Sequence, residues 1–262
     1  MASITSIEPE VRTSRFRVLG ISVDAVQIPD VVELMERWIL ARSACHLIAV
    51  TGMHGIAETQ RDSSFKHILN SADLVVADGM PLVWLGRWHG YSMHRRVYGP
   101  ELMETFCRKT GPLHRHYLYG GQPGVADCLA DVLNQRYGVR VVGTYSPPFR
   151  PLSEEQNAEV DRRIWAAAPD VVWLGLSTPK QERWMYEHRH RLNVPVMAGV
   201  GAAFNFLTGT AKQAPTWMRE NGLEWFFRLS HEPRRLWRRY LTNGSGFVWN
   251  VFLELLGLKK FE

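Results

Sequence analysis

Apolar residues fall along this chain in short unbroken runs, separated by longer stretches of mixed pattern. HLIAVT (46–51), DLVVADG (73–79), HYLYGG (116–121), VRVVGTYS (139–146), DVVWLGLS (170–177) and VPVMAGVG (194–201) are apolar almost throughout. A strand with one wet face alternates apolar and polar positions. A continuous run instead fits a strand covered on both faces. Between the runs lie helical patterns. Residues 123–137 open with Pro123, suited to a first helical turn. Residues 153–168 open with Ser153 and Gln156, and residues 179–192 with Thr178 and Gln181 around Pro179, both spaced as capping boxes. Repeated alternation of this kind predicts an α/β fold, a mostly parallel, doubly wound sheet flanked by helices.

Ligands of such sheets bind at the carboxyl ends of the strands. Small residues stand there: Thr51-Gly52, Asp78-Gly79, Gly120-Gly121, Gly175 with Ser177, and Gly199 with Gly201. They let a ligand approach backbone N–H groups, and the helix starts that follow suit anions. The expected ligand is phosphorylated. GGQPG (120–124) is not GxGxxG, and no GxxxxGK[ST] loop occurs, which argues against dinucleotide oxidoreductases and P-loop NTPases.

Charge changes the picture at the end of the chain. The whole protein of 262 residues carries +5, yet residues 212–262 alone hold nine Lys/Arg against five Asp/Glu. Trp217, Trp225, Trp237 and Trp249, four of the ten tryptophans, also lie there. The expected organisation is a leader (1–17), an α/β core (18–211) and a basic, aromatic helical appendage (212–262). Arg228, Arg234, Arg235, Arg238 and Arg239 are interleaved with aromatic and aliphatic residues, a pattern suited to an anionic, partly apolar surface or to packing on the core or a partner subunit. GFVWNVFLELLGL (246–258) is shorter than the ~20 residues of a membrane span. No secretory signal is apparent at the N-terminus. Cys45, Cys107 and Cys128 are widely spaced and read as free thiols in a reducing compartment.

Candidate chemistry centres on Asp78. A buried strand that runs into an acid admits a turn residue, a metal ligand or a catalytic base. Gln181 reads as a capping partner or a ligand contact, and Arg96 as a surface residue or an anion contact. There is no HExxH and no D-x-D. A diphosphate here is therefore expected to be neutralised by Arg, Lys and helix ends, with no metal and no cofactor.

VVADGMPLVW, RRVYGPELM, YLYGGQPGVAD, GLSTPKQERWM, GVGAAFNFLTG and QAPTWMRENGLEWFFRL, followed by EPRRLWRRYL, resemble in order and spacing the WecG/TagA/CpsF glycosyltransferases (glycosyltransferase family 26) from about residue 18 to 245. VYGPEL and YSPPFRPL look most like the capsule and exopolysaccharide members. The resemblance implies a Rossmann-like core and a bacterial, inverting enzyme. It would move a sugar from a UDP-sugar to a polyprenyl-diphosphate-linked saccharide, working peripherally on the inner face of the cytoplasmic membrane. The family's catalytic aspartate falls on Asp78. Arg96 is expected on the donor diphosphate or the acceptor phosphate, and Arg228, Arg235 and Arg238 on the lipid diphosphate. Thr51, Gly52, His54, Gly120, Gly121, Gly175, Lys180, Gln181, Gly201 and Asn205 are expected around the UDP-sugar. Where many members carry Thr-x-Asn, this chain has Val50 and Gly52, so Thr51 and His54 are the stand-ins. Relatives imply glucose, N-acetylmannosamine or its uronic acid as donor sugar, and the capsule-like motifs lean towards glucose.

Two other classes stay open on the residues alone. A non-enzymatic phosphate or nucleic-acid binder would use the basic, aromatic tail, although the glycine-rich strand ends then lack a role. An inactive scaffold of a polysaccharide-synthesis complex would explain the altered VTGMH segment. A homo-oligomer through the exposed tail is a further expectation.

Overall fold

The computed structural model describes residues 13–261 except 232, 235, 236 and 238–243. Eight strands form one sheet: β1 (Arg15–Val18), β2 (Ile21–Asp24), β3 (His46–Thr51), β4 (Leu74–Ala77), β5 (Arg115–Gly120), β6 (Arg140–Tyr145), β7 (Val171–Gly175) and β8 (Val196–Gly199). Their order is β1-β2-β4-β3-β8-β7-β5-β6, with β1 antiparallel to β2 and all other neighbours parallel. All six runs singled out by hydropathy are strands of this sheet.

The pleat sends alternate residues to opposite faces, and both faces are covered. Leu47, Ala49, Val75, Ala77, Tyr119 and Leu174 join one core, and Ile48, Val50, Leu74, Val76, Leu118 and Trp173 the other. The first core is roofed by α2 (Met53–Thr59), α4 (Met80–Trp88), α7 (Glu154–Ala167) and α8 (Lys180–His188). The second is roofed by α1 (Ile28–Ala41), α5 (Gly99–Thr110), α6 (Val125–Tyr137) and α9 (Ala203–Leu207). The short α3 (Ser63–Asn70) lies between α2 and β4 in the chain, and its N-cap Asp62 accepts from the Phe65 N–H. Among the described residues, three helices follow the core: α10 (Thr216–Glu220), α11 (Glu224–His231) and α12 (Ser245–Leu255).

Aspartates at strand boundaries hold the register. Asp73 accepts from the Leu47 N–H at 2.8 Å, Asp170 from Arg115 N–H at 2.8 Å and Asp24 from Val75 N–H at 2.8 Å. Each satisfies a backbone donor where a neighbouring strand gives out.

Several expectations change. The β1–β2 hairpin is absent from the hydropathy reading, because RFRV and ISVD are four residues each and carry polar positions. It joins the sheet as an antiparallel edge, turning through Leu19 and Gly20, both at positive φ. β6 is the other edge and only partly covered, so its apolar run does not mark burial on both faces. The helix expected from Pro123 starts at Val125, after Gly124 at φ +83°. Ser153 and Gln156 do form a capping box. Thr178 and Gln181 do not: the Thr178 hydroxyl donates to Glu182 Oε1 at 2.7 Å, and the Gln181 side chain is drawn towards Gly201. The helix takes Pro179 as its N-cap, one residue later than that spacing requires, and the Thr178 hydroxyl bonds a side chain instead of capping it.

The segment 246–258 is largely α12. Phe247 and Val251 are buried in the first core, and Glu254 accepts from the Leu19 N–H at 3.0 Å. Its opposite face exposes Val248, Trp249, Phe252 and Leu256. Packing on the core therefore holds for one side of this helix, and the other side is left exposed.

Removing the Asp24 carboxylate tests the strand-boundary role. Asp24→Ala leaves the buried Val75 N–H without its partner, so unfolding free energy should drop by about 1–3 kcal/mol. Urea denaturation of the full chain measures this.

Candidate active site

α2, which follows β3, packs on one face of the sheet, and α9, which follows β8, packs on the other. β3 and β8 are neighbours. Chains diverging from adjacent parallel strands leave a crevice at their carboxyl ends. The ends of β4, β3, β8, β7 and β5 share that edge.

Asp78 stands directly after β4. Its N–H donates to Thr51 O at 2.8 Å, which ties the ends of β4 and β3 together. Gly52 is required by that approach, since a Cβ there would sit 2.6 Å from the Asp78 carbonyl oxygen. The Asp78 side chain is 32% exposed, opening into the crevice. Its Oδ1 is enclosed and has no hydrogen-bond partner among the described residues. Burial raises its pKa to about 6, working with the charge of Glu224 and against Arg96 and Arg228.

Arg96 is brought alongside by a pinned loop. Val97 N–H donates to Ala77 O at 2.9 Å, so the loop runs next to the end of β4. The Gln27 side chain bonds both the N–H and the carbonyl of Arg95, and Arg87 donates to the carbonyls of Met93 and His94. Arg96 Nη1 lies 3.9 Å from Asp78 Oδ1, beyond hydrogen-bond length, while its Nη2 donates to Glu224 Oε2 at 2.5 Å. The guanidinium covers the Tyr98 ring at 4.1 Å, and that of Arg219 lies 5.4 Å from the same ring. Burial works against the Arg96 charge, but Asp78 and Glu224 outweigh it and hold its pKa above the ordinary value. A cavity of about 170 Å³ opens beside Arg96, Tyr98 and Arg219. A shallower groove of about 510 Å³ continues past Tyr98, with Arg108 and Arg136 on its wall.

The other expected residues divide by what they touch. Thr51 is buried at the end of β3, and its hydroxyl has no hydrogen-bond partner among the described residues. His54 sits in the first turn of α2, half-buried. Gln181 is buried: its Oε1 accepts from Gly201 N–H at 3.1 Å and its Nε2 donates to Glu182 at 3.1 Å. It holds the loop after β8 from beneath. Glu182 is itself buried, and burial raises its pKa. Gly120 and Gly175 serve packing: a Cβ on Gly120 would lie 2.6 Å from the Gly175 carbonyl carbon, and one on Gly175 2.9 Å from the Phe204 ring. Gly121 and Gly201 follow their strands at positive φ, Lys180 is exposed at the start of α8, and Asn205 lies half-buried in α9. Arg228 on α11 is close enough to act on Asp78. Arg235 and Arg238 lie outside the described residues.

One residue of the crevice escaped the sequence reading: Glu224, since the pattern of α11 gave no sign that its first residue would reach Arg96. Trp84 and Trp88 on α4, the helix that starts beside Asp78, are 49% and 75% exposed. Among the described residues, no three His, Cys, Asp or Glu side chains gather as a metal-ligand set, and no helix is long and apolar enough to cross a membrane.

Comparison with known proteins follows the same residues. An enzyme of Staphylococcus aureus (strain MW2), N-acetylglucosaminyldiphosphoundecaprenol N-acetyl-beta-D-mannosaminyltransferase, is 26% identical over 236 residues, 89% of this chain and 91% of its own. The enzyme of the same name from Bacillus subtilis (strain 168) is 27% identical over 183 residues, 70% of each chain. The glycosyl transferase WecG/TagA/CpsF family matches residues 16–261, which takes in the sheet, the Asp78–Arg96 crevice and the helices after it. This chain belongs to that family.

Proposed function

We propose that the protein is an inverting, metal-independent hexosyltransferase that moves a sugar from a UDP-sugar to a polyprenyl-diphosphate-linked saccharide in the synthesis of a bacterial surface polysaccharide or exopolysaccharide. The observation that carries the reading is the pairing of Asp78 with Arg96 at the carboxyl edge of the sheet. The matched relatives are named for transfer to a diphosphoundecaprenol-linked sugar, which supports a lipid-linked acceptor. The donor sugar is left to a screen of UDP-glucose, UDP-N-acetylmannosamine and its uronic acid.

In this reading the acceptor hydroxyl approaches the anomeric carbon opposite the leaving UDP, and Asp78 takes its proton. A carboxylate with a pKa near 6 is a stronger base than an ordinary one and is still ionised at neutral pH. Inversion follows from a single displacement at that carbon. Arg96, with Arg228 and Arg219 nearby, stabilises the charge gathering on the diphosphate. Gln181 shapes the loop after β8 that borders the donor. The groove beyond Tyr98 has room for an extended acceptor.

The acceptor is a membrane lipid, and the exposed aromatics fit docking at that surface. Trp84 and Trp88 on the core, Trp217, Trp225 and Phe226 on α10 and α11, and Trp249 and Phe252 on α12 are all exposed. Aromatic rings with nearby arginines suit the headgroup layer. A peripheral position on the cytoplasmic face follows from this reading.

Asp78→Asn should lower transfer by about 10²–10⁴-fold while UDP binding persists, measured by product formation and calorimetry. In the wild type, kcat/KM should rise with pH through about 6, as the base loses its proton. The stability effect has the opposite sense. The folded state keeps this proton up to about 6 and the unfolded chain only to about 3.8, so this group's contribution to stability falls as pH rises between those values. Asp78→Asn should therefore melt above the wild type at pH 7.

Trp88→Ser and Trp249→Ser should each reduce co-sedimentation with anionic vesicles, and the double variant should reduce it further. Unchanged sedimentation of the double variant would count against the membrane reading.

A further inference from the structure

Glu224, the first residue of α11, is the closest ion partner of Arg96. Both side chains are largely buried, at 14% and 12% exposed. Asp78, the other carboxylate facing Arg96, is more than an ångström further from the guanidinium. Arg96 is otherwise fixed from below by the Tyr98 ring and by the pinned loop that carries it. Its position is therefore set, and among the described residues Glu224 is the carboxylate from outside the core that hydrogen-bonds to it.

A guanidinium presents the same planar fork to carboxylates and to phosphates. Glu224 thus supplies, from within the chain, the chemistry that a phosphate oxygen would supply on Arg96. Nη2 has two N–H bonds, but a phosphate on the second would stand beside the Glu224 carboxylate, and the two like charges repel. An anionic ligand therefore competes with Glu224 for that end of the guanidinium.

We propose that Glu224 is an internal anion of the diphosphate subsite, which occupies Arg96 in the empty crevice and yields it when a diphosphate binds. The inference rests on the reading that Arg96 receives a diphosphate. Glu224 then acts on the reaction through Arg96, as a positioning residue. It keeps the guanidinium facing the crevice and neutralised while no ligand is present. Glu224 and Arg228 lie on the same helix, so the internal anion and the second arginine near Asp78 share one element. The charged groups acting on Asp78 are Arg96, Arg228 and Glu224, so the exchange trades one negative neighbour for another.

Pyrophosphate is the simplest probe, titrated calorimetrically into the full-length wild type and into Glu224→Gln, Glu224→Asp, Arg96→Gln and the Glu224→Gln/Arg96→Gln double variant. A competing internal anion reduces apparent affinity by the fraction of sites it blocks. Glu224→Gln should therefore bind pyrophosphate about tenfold more tightly than wild type. Glu224→Asp, which keeps the charge, should stay near wild type. The gain should vanish when Arg96 is also replaced. Carboxyl NMR of Asp78 should show its titration below about 6 in Glu224→Gln, because a charge that raises it is gone.

Unchanged or weaker binding in Glu224→Gln, with Arg96→Gln weaker still, would leave Arg96 as the diphosphate residue and overturn the exchange. An equal gain in Glu224→Asp would overturn the role of its charge. Wild-type affinity in Arg96→Gln would instead overturn the underlying reading of Arg96. Thermal melts of each variant separate these results from loss of fold.

Discussion

The bond from the Asp78 N–H to the Thr51 carbonyl is the contact on which the site depends. Parallel strands end where their backbone partners run out, and here the last partner belongs to the candidate base itself. The bond fixes the height of Asp78 above the sheet and admits only glycine at position 52 without a backbone shift. The next ladder contact, Val97 N–H to Ala77 O, brings the arginine loop to the same edge. Two backbone bonds, one on each side of the β4 terminus, thus set the spacing of acid and base before any side chain takes part.

Electrostatics then sorts the carboxylates. Asp78 and Glu224 both face Arg96, but only Glu224 is close enough to share a proton-bridged contact with it. The guanidinium therefore neutralises Glu224 first and Asp78 less. Burial does the rest, and Asp78 keeps an affinity for protons that an ion-paired aspartate would lose. Little more than an ångström of difference in reach separates a structural ion pair from a group suited to proton transfer.

Much of this was legible in the sequence because the strongest signals are local and periodic. Five buried strands and one half-covered edge strand wrote themselves as six apolar runs, and Asp78 stood out because an acid closed one of them. Arg96 was found through a motif at a fixed distance from it. The hairpin of Arg15–Asp24 was not legible: it is short, half polar and stabilised by Asp24 reaching Val75, a partner 51 positions away. The Thr178–Gln181 spacing misled for a related reason. A capping pattern predicts bonds to helix N–H groups, and here the Thr178 hydroxyl bonds the nearby Glu182 side chain while Gln181 reaches the distant Gly201 loop. Glycines at 120 and 175 suggested ligand contact, but the same smallness lets two strand ends pack under Phe204. Glu224 was hidden because its partner lies 128 residues earlier.

The last helix is joined to the first hairpin. Glu254 accepts the Leu19 N–H, while Phe247 and Val251 enter the core that Leu19 and Ile21 help to build. The two ends of the chain thus close one folding unit, and the segment carrying the exposed aromatics is also a wall of that unit. Shortening the protein from its C-terminus would therefore strip apolar cover from the hairpin at the same stroke as it removed the exposed face. A truncated chain that lost activity would report on both at once, whereas point changes confined to Trp249 or Phe252 would leave the closure intact.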